Sequence, residues 1–473
     1  MSLPNTHLGP DAIARILDGK ENIFFDGIGG VSMNALAHVS HIRGYKVSGY
    51  DRTPSETTKK LEKIGIKVYY EADAAHVADC DALVYTVAMP EDNPEYAYAQ
   101  EHGIPLISRA DFLGYIMTDY RHRIGVSGTH GKSTTTGMIA HILSSANLSP
   151  TVLNGAEMKE TGTVDMIGSH EYFVFESCEY MDSFLDFYPT VAVVLNIELD
   201  HVDYFKSMEQ MRTSYTSFMN KTGREGLAVI NINDKDCVAA AEKYNGHTVT
   251  FAHDNPEAEY YSANEVMTDG YPEFDIMHNG KTVARVKLHV PGEHCISDAL
   301  AAYAACSEIG VPDDAIASGL SSYEGICRRM DKVYVTKKGA AVYTDYGHHP
   351  TEISVTLRGA RRICRRKMNV VFQPHTFSRL AELIDGFVSA FSESGADEIV
   401  LLDVYAAREI NTFGVTSRDL SEMINARGKK CRVAEDFASA AEYLNEISAD
   451  GDMIVVMGAG DVISVADIIK EKY

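Results

Sequence analysis

Two groups of residues in this chain have types and spacing suited to phosphate chemistry. The first is the stretch GVSGTHGKSTTTGM, Gly125 to Met138. A standard phosphate loop has Gly, four residues, then Gly-Lys-Ser/Thr. Counting back from Gly131-Lys132-Ser133, the first position is Val126. In such a loop the backbone N–H groups of Gly128, Thr129, His130, Gly131, Lys132, Ser133 and Thr134 would cradle the β- and γ-phosphates of a nucleotide. Lys132 would add a point charge, and the Ser133 hydroxyl would ligate Mg²⁺. Gly-Lys-Ser by itself is weak. The second group sits at two later strand ends: Glu176 closes YFVFE, and TVAVVLNIELDHVDYF runs past Asn196 to Glu198, Asp200, His201 and Asp203. Carboxylates at the C-terminal ends of neighbouring parallel strands build metal and phosphate sites. The bland reading of ELDHVD is a solvated turn or helix cap, and imidazole is an unusual ligand for Mg²⁺, which prefers oxygen.

A second glycine-rich turn lies near the N-terminus. GIGGVSM supplies Gly27, Gly29 and Gly30 between a strand and a helix, with Asp51 ending the next strand. This approximates the dinucleotide fingerprint, except that Ser32 stands where the third glycine belongs. Three readings fit: a tight turn with no ligand, a nicotinamide dinucleotide site, or a site for a UDP-type diphosphate. Spacing alone does not separate the last two.

The elements that position these residues follow from apolar runs. NIFFDGI, YKVSGYD, IKVYY and DALVYTVA read as strands interleaved with helices, which predicts a parallel sheet covered on both faces. DYRHRIGVSG opens a second α/β segment, with YFVFE, TVAVVLNI and LAVINI as strands and PGEHCISDALAAYAACSEIG as a loop and Ala-rich helix. AAVYTDYG, MNVVFQP, EIVLLDVY and DMIVVMGAG open a third. Boundaries near residues 121 and 328 divide the chain into 1–121, 122–328 and 329–473. A length of 473 residues requires several domains in any case. The net charge of −24 argues against a nucleic-acid or acidic-membrane partner, while leaving room for a small anion held locally. The eight cysteines form no CxxC pair, which favours a reducing cytoplasm over zinc or disulfides. The N-terminal stretch does not read as a signal peptide, and no apolar run approaches a membrane span.

GTHGKST, NIELDHVDYF, PGEHCISDALAAYA, CRRMD, DYGHHPTEI and FQPHTFSR, with GIGGVSM and MPEDNPE, occur in the order expected of the Mur ligases. The resemblance covers essentially the whole chain, and in that family the Val126 position tolerates residues other than Gly. It implies an α/β three-domain architecture: a Rossmann-like N-terminal domain for a UDP-sugar, a central P-loop-type ATP-binding domain, and a Rossmann-like C-terminal domain for the amino acid. It implies an ATP- and Mg²⁺-dependent ligase of peptidoglycan precursor biosynthesis, of the branch that joins L-alanine to the carboxylate of UDP-N-acetylmuramate. The partners implied are these small molecules, in a cytoplasmic monomer or weak homodimer.

By the same resemblance Lys132 contacts the β/γ-phosphates, Ser133 and Glu176 hold one Mg²⁺, and His201 holds a second. Arg329 reaches the phosphates, Asp345 binds the ATP ribose, and Asp298 falls at an adenine-reading position. Tyr346, His348, His375 and Arg379 surround the amino acid and the transferred phosphoryl group. Gly27, Gly29 and Gly30 become diphosphate contacts, leaving Asp51 without an assigned role. Taken singly, Tyr346 and His375 also read as core residues, and Arg329 as a surface ion pair. Ser32, Cys295 and Asp298 depart from the family pattern, which has Gly, Asn and Asn there. SMEQMRTSYTSFMN lacks the lysine that sister ligases carbamylate, although Lys206 and Lys221 flank it; this fits the alanine-adding branch. A ligase that attaches a preformed murein peptide to the same sugar nucleotide is the nearest alternative. An NAD-dependent oxidoreductase would leave Lys132, Glu176 and His201 unexplained.

Overall fold

A computed structural model describes residues 3–87, 89–201, 204–407 and 409–473. The chain forms two compact units: residues 1–157, 161–197 and 209–249 in the first, and 158–160, 198–208 and 250–473 in the second.

The first unit opens with a parallel five-stranded sheet. Its strand order is Lys67–Tyr69, Lys46–Tyr50, Asn22–Asp26, Ala82–Tyr85, Leu106–Ser108. Phe24, Phe25, Leu83 and Val84 are fully buried, as expected of strands covered on both faces. Six further strands of this unit run in the order Leu227–Asn231, Val191–Val194, His122–Ser127, Tyr172–Glu176, Thr151–Met158, Thr163–Met166. The strand leading into GTHGKST is thus flanked in parallel by the strand ending on Glu176 and by Val191–Val194, with Val126 opposite Glu176 and Ser127 opposite Val194. A loop emerging there sits among the carboxyl ends of three parallel strands, where α/β folds bind ligands. Gly131 has φ +83° at the cap of the helix Lys132–Ser145, a left-handed conformation that glycine adopts without steric cost.

In the second unit the strands Tyr260–Thr268, Tyr271–His278 and Lys281–Lys287 pair antiparallel. Half-exposed and period-two, they were not anticipated from apolar runs. A six-stranded sheet follows, ordered Asp331–Val335, Ala341–Asp345, Met453–Met457, Met368–Phe372, Glu398–Leu401, Cys431–Val433. Its first pair is antiparallel and the rest are parallel. MNVVF and MIVVM are buried at every position, so these strands form the middle of the sheet. Their ends deliver the segments beginning at Gln373 and Gly458.

Candidate active site

In the first unit the GTHGKST loop is tied down from the neighbouring strand end. Asn196 accepts from the His130 N–H (2.8 Å) through its side-chain oxygen, donates to the His130 carbonyl (3.1 Å), and accepts from the Thr129 N–H (3.2 Å) through its backbone carbonyl. Lys132 Nζ donates to the Gly128 and Thr129 carbonyls, at 2.5 and 3.2 Å, and lies 3.3 Å from a Glu179 carboxylate oxygen. Burial alone would lower the Lys132 pKa; Glu179, Cys178 and Glu176 outweigh it and push it up, so the ammonium is charged. Ser133 is buried at the helix start. Asn154 donates to the Ser133 carbonyl (3.2 Å), and the next residue, Gly155, donates its N–H to Glu176 (2.8 Å). One short segment therefore holds both Ser133 and Glu176. A Cβ at Gly155 would meet both Glu176 oxygens at 2.7 Å, so the close approach of the carboxylate requires glycine there. A hydroxyl and a carboxylate are the hard oxygen donors Mg²⁺ takes, and the two residues fit that ion.

The N-terminal loop is also in this unit. Gly27 has φ +81°, and Gly30 caps the helix Val31–Ile42 without any side-chain cap bond. The Asp51 carboxylate accepts from the Gly29 N–H (2.9 Å) and the Thr53 N–H (3.1 Å). It ties the loop to the end of the next strand.

The second unit gathers His201, His348, His375 and Arg379. The Arg379 guanidinium grips Asp200 through Nη2 (2.9 and 3.3 Å) and Nε (3.3 Å), and lies 3.3 Å from His375 Nδ1. Arg379 and Asp200 are both buried. Burial would raise the Asp200 pKa, but Arg379 and then His201 hold it well below the usual carboxylate range. Asp200 is thus committed to Arg379. The His348 and His375 rings lie 5.7 Å apart. Burial, chiefly, pushes both pKa values down to about 4, with Arg379 lowering each further. Their rings are neutral at physiological pH. His201 adopts φ +50° and Thr376 φ +65°. For a β-branched residue such as Thr376 that is an outlier of the kind found at functional sites. Glu198 accepts from the Thr351 hydroxyl (2.8 Å) at the start of the helix Pro350–Ile363. Asp203 lies outside the described residues.

Arg329 follows a left-handed Arg328 (φ +59°) and precedes a left-handed Met330 (φ +45°). Asp345 fixes this bend: its oxygens accept from the Met330 N–H (2.8 Å) and the Gly347 N–H (2.7 Å). Asp345 is 3% exposed. The Arg329 guanidinium lies 3.3 Å from Glu352 and 5.5 Å from the centre of the half-exposed Tyr346 ring. Asp298 is buried at the fifth position of the helix His294–Glu308, whose cap residue is Glu293; it is not the helix cap.

Asn196, Gly155 and Asp200 were missed as functional partners by sequence reasoning. Asp200 was noted only as one carboxylate among several. Their partners lie 66, 21 and 179 residues away, beyond any local spacing.

Profiles described as Mur ligase family catalytic domain, Mur ligase middle domain, and Mur ligase glutamate ligase domain match residues 22–121, 126–306 and 328–460. A UDP-N-acetylmuramate–L-alanine ligase of Caldicellulosiruptor saccharolyticus is 41% identical over 450 residues, covering 95% of this chain and 98% of that protein. A namesake from Clostridium novyi is 39% identical over 454 residues, covering 96% and 98%. Among solved structures, the UDP-N-acetylmuramate-alanine ligase of Thermotoga maritima superposes with a TM-score of 0.81 at 26% identity, over 96% of this chain and 99% of that one. A murein peptide ligase of Psychrobacter arcticus gives 0.70 at 22% identity over 95% and 98%, a likeness of fold alone. On these matches, which span nearly its full length, this chain belongs to the Mur ligase family.

Proposed function

We propose that the protein is an ATP-dependent ligase that joins the carboxylate of UDP-N-acetylmuramate to L-alanine in peptidoglycan precursor biosynthesis. The near-full-length likeness to ligases of that name carries the reading, and the site chemistry supports it. A carboxylate is a poor acyl donor. Its oxygen attacks the γ-phosphorus of ATP, the bond to the bridging oxygen breaks, and ADP leaves. The resulting acyl phosphate then receives the amine of alanine; the tetrahedral adduct collapses with loss of inorganic phosphate and a proton, giving the amide. Such transfers depend on positioning and charge neutralisation.

Lys132, charged and placed under the loop, would neutralise the β/γ-phosphates. Ser133 and Glu176 would hold Mg²⁺, which supplies further neutralisation of phosphate charge when bound. Arg379, oriented by Asp200, would take the alanine carboxylate, while the neutral His348 and His375 rings leave the incoming amine unopposed by like charge. His201 would hold a second Mg²⁺, Arg329 would reach the phosphates, Asp345 would serve the ATP ribose, and Asp298 would lie toward adenine. The oligomeric state proposed is monomer or weak homodimer, and the location cytoplasmic. No helix among the described residues is long and apolar enough to cross a membrane.

The test is release of phosphate from ATP with Mg²⁺, UDP-N-acetylmuramate and each candidate amine in turn. Release is expected only when all are present, with L-alanine as the amine. Equal turnover without the sugar nucleotide would sink the assignment. A requirement for a preformed peptide in place of alanine would move the protein to the murein peptide ligases.

A further inference from the structure

The two edges of the six-stranded sheet in the second unit differ in charge. At the carboxyl ends of its parallel strands, where His348 and His375 lie, the connections 346–349, 373–376, 402–416, 434–436 and 458–463 hold five acidic residues and one basic. At the opposite edge the connections 336–340, 364–367, 394–397, 427–430 and 448–452 read TKKGA, CRRK, SGAD, RGKK and SADGD. They hold eight basic residues and three acidic. Register sets these turns side by side: Val335 pairs with Ala341, Ala341 with Met453, Met453 with Met368, and onward through Asn369–Glu398 and Ile399–Cys431.

Two of the three acids are already committed. Asp397 accepts from Arg361 (3.1 Å) and the Met368 N–H (2.8 Å). The buried Asp452 accepts from the Lys367 and Ala449 N–H groups, at 3.1 and 2.8 Å. Lys337, Arg365, Lys367 and Arg427 are exposed and, among the described residues, pair with no carboxylate. Basic residues at helix C-termini offset the macrodipole, but only in the last turn, and Lys337 and Lys338 lie between two strands. The edge is therefore a cationic rim on a chain of net charge −24, and its complement is an anionic surface.

The composition of the rim selects the surface. The five connections contain no aromatic residue on which a base could stack. The helices end at this edge, so none projects from it into a groove. Val335, the last residue of the edge strand, is 52% exposed next to Lys337 and Lys338. An apolar side chain among lysines and arginines suits a lipid interface, where long basic side chains carry their charge to the headgroups. The summed charge of the chain opposes such a surface at a distance. Salt screens that opposition beyond about 8 Å, and within that range the rim decides. We propose that this edge is a docking face for the anionic lipid surface of a membrane. It holds the protein peripherally, with the His348–His375 end of the sheet pointing away from the lipid. The inference is independent of the reaction proposed above.

The test is co-sedimentation of the full chain with vesicles of phosphatidylcholine alone and of phosphatidylcholine mixed equally with phosphatidylglycerol, at low and high salt. The wild type should bind the mixed vesicles at low salt and leave them at high salt. Arg365→Glu with Lys367→Glu should weaken that binding about tenfold or more, and Lys337→Glu, on a separate turn, by a smaller factor. Lys338 and Arg366 are spared because they donate to the Asn445 and Asp450 carbonyls, at 2.6 and 2.7 Å. Lys281→Glu with Lys287→Glu, both exposed on the antiparallel strand Lys281–Lys287, makes the same change in net charge and should bind like the wild type. Thermal midpoints of all variants should match. Absent or equal binding to the two kinds of vesicle overturns the proposal, as does an equal loss in the Lys281 and Lys287 pair, which would trace the effect to net charge. Retention on duplex DNA in preference to the mixed vesicles also overturns it and makes the edge a nucleic-acid face.

Discussion

At the scale of single residues, His201 is the most exposed to test. It stands next to Asp200, and its φ of +50° shows a backbone held in place by its surroundings. If it holds a second Mg²⁺, as proposed, that ion would neutralise developing phosphate charge, and the contribution of His201 would grow in the transition state. His201→Ala should therefore lose roughly 10²-fold or more in kcat while the Kd for an ATP analogue changes little. Steady-state kinetics beside calorimetry reads this, and a near-normal kcat would make His201 a structural residue. Legibility at this scale was uneven. Lys132, Ser133 and Glu176 could be picked out because a glycine-rich turn and a strand end mark them locally. The Asp51 carboxylate could not be placed: its role depends on the Gly29 N–H it meets, and an acid at a strand end looks the same whether it braces a loop or binds a ribose.

At the scale of elements, the strand ends do the positioning, and the segment Asn154–Gly155 is their most sensitive joint. Gly155 has ordinary backbone dihedrals in the strand Thr151–Met158, so alanine costs nothing in conformation there. Its methyl would strike both Glu176 oxygens at 2.7 Å. Gly155→Ala should displace that carboxylate and raise the Mg²⁺ concentration needed for half-maximal phosphate release by about tenfold or more, the scale of losing a group that orients a metal ligand. The thermal midpoint should barely change. An unaltered Mg²⁺ dependence would separate Glu176 from the metal. The buried parallel strands were legible because short continuous apolar runs such as VAVV and MIVVM, rich in β-branched residues, read as strands covered on both faces. The antiparallel strands between Tyr260 and Lys287 escaped because one face is wet: Asn264, Glu265, Glu273, Asp275, Lys281 and Arg285 dilute the apolar signal, and no run stands out.

At the scale of the whole molecule, site chemistry and stability are linked through protons. His348 and His375 have folded pKa values near 4, below the ordinary 6.5. Between those values the unfolded chain binds more protons than the folded one, so stability rises with pH there and is lost as pH falls from 6.5 toward 4. The two rings contribute up to about two protons to the slope. Around them lie Arg379, Asp200, His201, Glu352 and Glu409, and Asp200 titrates below this window. Denaturation midpoints measured from pH 4.5 to 7.5 should fall on the acid side, and His348→Gln should flatten the fall by about one proton. An identical slope in the variant would mean that the ring already titrates normally in the fold. Thr376 has a different consequence, one for selection. Its left-handed backbone lies between His375 and Arg379, and a threonine there costs about 1–3 kcal/mol of conformational strain. Glycine would relieve that strain, at a capping loss of only a few tenths of a kcal/mol. The same change would loosen the two side chains that flank it. Thr376→Gly is expected to match or exceed the wild type in residual fold after heating, yet to grow poorly as the sole copy in a cell that needs the enzyme. A library sorted for heat resistance and the same library sorted for growth should therefore disagree at this codon, the first accepting glycine and the second discarding it.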